Sequence, residues 1–311
     1  MKYLVTGGAG FIGSNIVKKL LENKETVRAV DNFSTGRKEN IEEFLNNPNF
    51  ELFQGDLSDF GVAEMVVKDM DFVLHQAALP SVPRSIDDPI SSNNSNVTAT
   101  LNLLVASRRQ KIKKFVFASS SSIYGDNPEL PQKEDFPIRP ISPYALTKYV
   151  GERYCQLFYQ IYGLPTICLR YFNVFGPKQN LNSQYSAVIP KFINCFLKNK
   201  TAVIFGTGEQ SRDFTFVENV VSANLLSVKS EKGFGEVFNI ACNQQTSLNQ
   251  MVKLLQKITG KAIEPEYQKE RPGDVLHSKA DISKAQKILN YSPETSFEQG
   301  LQETVEWYKA S

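Results

Sequence analysis

At 311 residues the chain is long enough to bury a large core, as one big domain or two unequal ones. Its 35 Lys and Arg against 33 Asp and Glu leave a formal charge of +2, spread without a basic block, so nothing in it offers nucleic acid an electrostatic footprint. Four scattered cysteines (Cys155, Cys168, Cys195, Cys242) and two histidines (His75, His277) speak against both a disulfide framework and a metal site.

Met1 opens directly on a short apolar strand pattern, without the basic start and long apolar stretch of a signal peptide, and no apolar run is long enough to span a bilayer. The expectation is a soluble, cytoplasmic protein. Short apolar runs then alternate with amphipathic stretches over about the first 170 residues, the pattern of a parallel sheet wrapped by helices. Strands are predicted at 2–6, 26–30, 50–54, 71–75, 114–119 and 166–171, with 235–241 as a returning strand. Helical spacing occurs in FIGSNIVKKLLE, VAEMVV, NVTATLNLLVASRRQ and PYALTKYVGERYCQLFYQIYG. After 176 the rhythm breaks: GPKQNLNSQYSAVIPKF reads as loop and FGTGEQSRDFTFVENV as turn-rich. The fold class is therefore α/β: a doubly wound parallel sheet formed by 1–175 with about 213–241, and a smaller mixed α/β lobe formed by 176–212 and 242–311.

The first strand runs into TGGAGFIGS, placing Gly7, Gly10 and Gly13 between a strand and a helix. Such a turn needs a residue tolerant of unusual dihedrals, a bare backbone for a pyrophosphate to approach, and a bare spot for helix packing. Free N–H groups at the helix start then face the phosphates. Asp31 ends the next strand, where a carboxylate accepts from the adenine ribose hydroxyls and repels a 2′-phosphate, favouring NAD over NADP. Arg37, further along the same loop, is the counterweight. Asp56 and Leu57 follow the third strand and Gln76, Ala77 and Ala78 the fourth, at the edge where ligands of doubly wound sheets collect. Asp56 also suits a helix cap.

SSSSIYG ends a strand, and Tyr144 and Lys148 share a helix face at i and i+4. A neighbouring ammonium and a positive nicotinamide ring would lower the phenol from its usual pKa of about 10, making Tyr144 a proton acceptor from an alcohol. Alone, Tyr-x-x-x-Lys is an ordinary surface pair; the glycine turn upstream and the serine strand end change that reading.

Taken together, TGGAGFIGS, SSSSIYG, SPYALTK, RYFNVFGP and SRDFTFV resemble the extended short-chain dehydrogenase/reductase family, and within it the nucleotide-sugar epimerases acting at C4. The resemblance implies a Rossmann-type sheet with resident NAD, Tyr144 as base, Lys148 tuning it and holding the nicotinamide ribose, and Ser120 as the serine that orients the sugar hydroxyl. It extends the cofactor set to Phe11, Ile12, Asn32, Ser34, Gly36, Asn96, Tyr171 and Val174. For the UDP-sugar it implies Ser81, Arg84, Ser121, Asn173, Ala187, Val188, the diphosphate arginines Arg212 and Arg271, Asp274 at the uridine ribose, and Ser278 beside the sugar. Dehydratases of this family carry an Asp-Glu pair in the serine segment and UDP-glucuronate decarboxylases a glutamate; here serines stand there. The implied cycle removes hydride and proton from C4 and returns them to the other face through a 4-keto sugar. Serine at 278 leaves room for a 2-acetamido group, so UDP-N-acetylglucosamine is favoured over UDP-glucose, although a small side chain permits a bulky group without demanding it. Ser278 also suits a helix cap. UDP-glucose 4-epimerisation, UDP-glucuronate chemistry and a non-catalytic NAD-binding protein stay open as alternatives. Apolar residues on more than one face of helices 93–109 and 143–162 (Leu101, Leu103, Leu104, Val105; Tyr154, Leu157, Phe158, Tyr159), together with family practice, point to a homodimer.

Overall fold

The computed structural model describes residues 1–181, 188–270 and 276–310. Seven strands form one parallel sheet: β1 (Lys2–Thr6), β2 (Thr26–Asp31), β3 (Phe50–Gln54), β4 (Phe72–His75), β5 (Lys114–Ser120), β6 (Thr166–Tyr171) and a returning strand, Glu236–Ile240. That last strand is β11 once four shorter ones between are counted: β7 (Val174–Phe175), β8 (Val203–Phe205), β9 (Ser211–Arg212) and β10 (Thr215–Phe216). The spatial order is β11-β6-β5-β4-β1-β2-β3, so the strand order reverses between β1 and β4, and there a crevice opens at the carboxyl ends. Continuous apolar strands such as FVLH and KFVFAS are explained by helices covering both faces.

On one face lie α2 (Phe60–Val67), α5 (Ala99–Arg109) and α6 (Pro143–Tyr162); their Val66, Leu103, Leu104, Cys155 and Phe158 pack against Leu4, Val73, Phe115 and Phe117. The other face carries α1 (Phe11–Glu22), α8 (Val217–Lys229) and α10 (Ser283–Leu289) over Val5, Leu74, Val116 and Leu169. Ala285, Leu289 and Tyr291, expected in the smaller lobe, thus pack in the core of the sheet. A third cluster joins α7 (Val188–Leu197), α9 (Leu248–Thr259) and α11 (Phe297–Ala310) around Phe175, Phe214 and Phe216. Three two-stranded sheets tie this cluster together: β7 with β10, β9 with β12 (Thr246–Ser247), and β8 with β13 (Glu266–Gln268).

Helix α7 corrects the loop reading of 188–192. Pro190 lies in its first turn, where a missing N–H costs nothing. Likewise Val217–Val220, read as turn-rich, begin α8. The stretch before α5 is a π-helical segment, Asn94–Thr98, preceded by α3 (Val82–Asp87) and α4 (Pro89–Asn93). Among the described residues no helix is long and apolar enough to cross a membrane. Of the residues expected to form a dimer face, Leu103, Leu104 and Phe158 belong to the core, because the sheet claims that side of each helix. Leu157 and Tyr159 are exposed, joined along α6 by Leu146, Ile161 and Tyr162.

Candidate active site

A cavity of about 600 Å³ occupies the crevice at the strand reversal. Gly7, Gly10, Phe11, Ile12 and Gly13 form its floor. Gly7 has φ +64, and a Cβ there would meet the Ala77 backbone at 2.9 Å; one on Gly13 would lie 2.0 Å from the Gly7 carbonyl oxygen. Only glycine fits these positions. No side chain caps the start of α1 at Gly10, so its first-turn N–H groups face the opening.

Asp31, Asn32, Ser34 and Gly36 line the end at β2, with Asp56 and Leu57 after β3. Asp31 does more than the ribose contact expected of it. Its carboxylate accepts from Ala9 N at 2.9 Å and Phe33 N at 2.8 Å, holding the glycine turn to the loop after β2. A Cβ on Gly36 would sit 2.7 Å from that carboxylate, so glycine permits the approach. Burial raises the Asp31 pKa, opposed by the backbone N–H groups it accepts from. Arg37 turns to Glu39, 3.2 Å away. Asp56 is not a cap: it accepts from Ser58 N and Oγ and from Asn32 Nδ2 at 2.9 Å, whereas Asp59 caps α2.

Gln76, Ala77 and Ala78 after β4 reach the middle of the cavity, as does Tyr171 at the end of β6. Gln76 Nε2 donates to Asn224 Oδ1 at 3.0 Å, Asn224 Nδ2 donates to the Tyr171 hydroxyl at 2.8 Å, and that hydroxyl donates to Gln76 Oε1 at 3.2 Å. The closed triangle fixes all three side chains. Asn96, expected at the cofactor, lies outside the lining: buried in the π-helical segment, it accepts from Leu79 N at 2.7 Å and donates to Thr147 Oγ1 at 3.0 Å. It shapes the wall rather than forming it. Val174 is also outside, packed, as Phe11 and Ile12 are, against the third cluster.

Ser81, Arg84, Tyr144 and Lys148 close the other end. Ser81 holds φ +102, rare for a residue with a side chain, and caps the turn by accepting from Arg84 N. Ser142 caps α6 and Pro143 takes its first position, which aims Tyr144 and Lys148 back at β5. Lys148 Nζ donates to the Ala118 carbonyl at 2.8 Å. Ser120 hydrogen-bonds Tyr144 and also accepts from Ser122 N at 3.2 Å. Ala118 and Ser119, before it, line the cavity; Ser120 itself and Ser121 do not. The lowered phenol pKa expected from the Lys148 ammonium is absent. Burial raises Tyr144, opposed by the Ser120 hydrogen bond, and burial presses Lys148 down to about 8. The Lys148 ammonium is aimed at the Ala118 carbonyl and makes no hydrogen bond to the phenol, so burial is the larger influence on Tyr144.

Of the other expected sugar-nucleotide residues, Asn173, Arg212 and Ser278 gather around β9. Asn173 Nδ2 donates to the Asp213 carbonyl at 3.0 Å and to Ser278 Oγ at 3.2 Å. Arg212 Nη1 donates to the Ser211 and Leu276 carbonyls at 2.9 and 3.0 Å. Ser278 is not a helix cap, since Ile282 occupies the cap of α10. Val188 begins α7, packed on the third cluster. Ala187, Arg271 and Asp274 lie outside the described residues. Among the lining residues that sequence reasoning missed are Ser119, next to the expected Ser120, and Ser95, Gln179 and Asn180. The last two follow the turn at Gly176 and carry no periodic signal; Ser95 could have been found only from the π-helical register.

The cavity suits a dinucleotide: a bare glycine floor at an uncapped helix start, a carboxylate at one end, and a Tyr-Lys pair at the other. The chain matches the NAD dependent epimerase/dehydratase family over residues 3–241. A UDP-N-acetylglucosamine 4-epimerase from Methanobrevibacter ruminantium M1, solved with UDP-N-acetylmuramic acid, is 43% identical, superposes with a TM-score of 0.93, and is matched over 99% of this chain and 98% of that one. For a Thermotoga maritima UDP-glucose 4-epimerase solved with UDP-glucose the values are 40%, 0.93, 100% and 99%. A UDP-glucuronic acid 4-epimerase from Bacillus cereus, solved with UDP-glucuronic acid and NAD, gives 34%, 0.91, 100% and 99%. Likeness of this extent, covering the glycine turn, the serine strand and the smaller cluster alike, makes the chain a member of the NAD dependent epimerase/dehydratase family, with NAD as its cofactor.

Proposed function

We propose that this chain interconverts the C4 epimers of a UDP-sugar, with UDP-N-acetylglucosamine as the preferred substrate. The observation that carries the reading is the placing of Tyr144 and Lys148 at one end of a cavity whose other end is a dinucleotide turn, with Ser120 hydrogen-bonded to Tyr144 just behind the lining. Gly7, Gly10, Gly13 and Asp31 would hold the phosphates and adenosine, and Lys148 and Tyr171 the nicotinamide half. NAD, when bound, supplies a reversible acceptor for the hydride leaving C4 and a positive ring near the phenol. The Tyr144 oxygen takes the proton of the 4-hydroxyl, Ser120 orients that hydroxyl through its own bond to Tyr144, and the same oxygen returns the proton once the ketone presents its other face. Arg212, Arg271 and Asp274 are assigned to the UDP half, whose diphosphate suits guanidinium forks.

The 2-acetamido preference rests on Ser278, whose short side chain is drawn back by Asn173 Nδ2 and Asp213 N. The first of the solved relatives described above points the same way. Plain UDP-hexoses are the second reading, favoured by nearly equal likeness to the Thermotoga maritima enzyme. The working assembly is a homodimer joined through α6, where Leu146, Leu157 and Ile161 are exposed. NMR of product mixtures from separately supplied UDP-N-acetylglucosamine, UDP-glucose and UDP-glucuronate tests the assignment. Conversion of the first to its C4 epimer at the highest kcat/KM is expected; no conversion of any of them would overturn the reading.

A further inference from the structure

Beneath the serine strand end lies a buried ion pair that the chemistry above leaves unused. Glu152 follows Tyr144 and Lys148 on the same face of α6, two turns and one turn further along. Glu152 is 1% exposed and Arg170 on β6 3%. The carboxylate is fully engaged: Oε1 accepts from Ser119 Oγ at 2.6 Å and from Arg170 Nε at 2.9 Å, and Oε2 from Arg170 Nη2 at 2.9 Å. Arg170 stands in register with Ser119 across β5 and β6, and its Nη1 donates to the Tyr124 hydroxyl at 2.7 Å. The helix therefore grips three consecutive strand residues. Lys148 holds the Ala118 carbonyl, Glu152 the Ser119 hydroxyl and Tyr144 the Ser120 hydroxyl. A buried ion pair is a poor source of net stability, since desolvation offsets much of the attraction, so its placement asks for another reason.

We propose that Glu152 is a positioning residue of the active site: through Ser119 it sets the end of β5 against α6, so that Ser120 and Tyr144 meet the reacting alcohol and Lys148 the nicotinamide half, and its carboxylate is the counter-charge to Lys148. Burial lowers the Lys148 pKa to about 8, opposed by the neighbouring Cys155 side chain and the Glu152 carboxylate. The other groups around this lysine are His75 on β4, the Phe117 ring on β5 with the ammonium 5.2 Å from its centroid, and, through Glu152, Arg170 and Cys168 on β6. His75 is neutral and Arg170 is spent on Glu152, so replacing Glu152 leaves Lys148 beside an unbalanced cation.

The inference rests on the epimerase reading for what the site reacts with, but its first test does not need a substrate. In protein labelled with 13C-lysine, the Lys148 signal, assigned by its loss in Lys148→Met, is titrated by NMR in the wild type and in Glu152→Gln. The midpoint is expected to fall by about one pH unit, and the alkaline limb of kcat to move down with it while KM for the UDP-sugar changes little. An unmoved midpoint overturns the counter-charge role. If the single variant fails to fold, the double variant Glu152→Gln, Arg170→Gln leaves no unpaired cation, and there a smaller fall in the same direction is expected, from the loss of the Glu152 charge alone; an unmoved midpoint there overturns the counter-charge role too. Ser119→Ala keeps the ion pair, and should lower kcat about tenfold with the Lys148 midpoint unchanged; an unchanged kcat overturns the positioning role. A wild type that turns over no UDP-sugar would sink the epimerase reading and leave the NMR result standing.

Discussion

Tyr144 carries an apparent contradiction. It is half-buried by surface, yet enclosed enough for burial to hold its phenol above the usual pKa of 10. The protein alone therefore keeps the base protonated at neutral pH. Ultraviolet titration of NAD-free protein, with Tyr144→Phe subtracted, should place this phenol above pH 10 and move it down when NAD is added. Tyr144→Phe should lower kcat by about 10²–10⁴ while fold and NAD content persist, because only the proton acceptor is lost. Steady-state epimerisation and extracted NAD check this together; unaltered turnover would remove Tyr144 from the chemistry. The pair itself was legible, since i and i+4 fixes a shared face whatever the tertiary context. Glu152 was not, because a glutamate on a helix ordinarily faces water, and its burial depends on Arg170 and Ser119 from two separate strands. Asp31 was half legible: its place after β2 could be read, but not that both carboxylate oxygens are already bonded to backbone N–H groups.

Strands and helices that alternate around a parallel sheet announce themselves, since buried strands read as continuous apolar runs and covering helices as one-sided stripes. Helix α1 falls on the segment that the glycine turn marks out. The smaller cluster is harder, for a physical reason. Strands β7, β9, β10 and β12 have two residues each, too short to show any period, and exist because other segments present a partner edge. Segment 276–280 is the clearest case, zipped to β9 by Ser211 N to the Leu276 carbonyl at 3.0 Å and Ser278 N to the Ser211 carbonyl at 3.1 Å. The glycine turn allows a sharp test. In Gly13→Ala the new methyl would stand 2.0 Å from the Gly7 oxygen, a backbone atom that cannot swing away. The turn must open or the helix start must shift, so NAD content per purified chain should fall at least about tenfold, equivalent to about 1.4 kcal/mol. Extraction and quantification of NAD decide it, and full occupancy would show that the turn tolerates the methyl.

In the molecule as a whole, His75 is a fully buried titratable side chain in the middle of the sheet, against Phe115 and Phe117. Ala77 N donates to Thr6 Oγ1 at 3.0 Å, and the Thr6 hydroxyl donates to His75 Nδ1 at 2.7 Å, the ring nitrogen left unprotonated once Nε2 carries the hydrogen. Thr100 donates to the Asn96 carbonyl at 2.6 Å, leaving its oxygen to accept from His75 Nε2 at 2.9 Å. This chain links β1, β4 and α5 through a neutral imidazole, and a proton on Nδ1 would break the Thr6 bond. Burial, with a smaller contribution from the Lys148 charge, lowers the His75 pKa to about 3, from an ordinary 6.5. Because the folded value is the lower one, the unfolded chain binds the proton first. The contribution is complete above pH 6.5 and is lost as pH falls toward 3, at up to about 1.4 kcal/mol per pH unit. Asp213 works in the opposite sense over a narrower window, its carboxyl raised to about 6 by burial against its backbone hydrogen bonds. His75→Gln keeps an acceptor and a donor but cannot titrate. Urea midpoints measured from pH 7 down to 5 should therefore fall more steeply for the wild type than for His75→Gln, with the Asp213 contribution common to both. Parallel curves would mean that the imidazole is protonated in the folded protein, and that the Thr6–His75–Thr100 chain does not hold the three elements together as described.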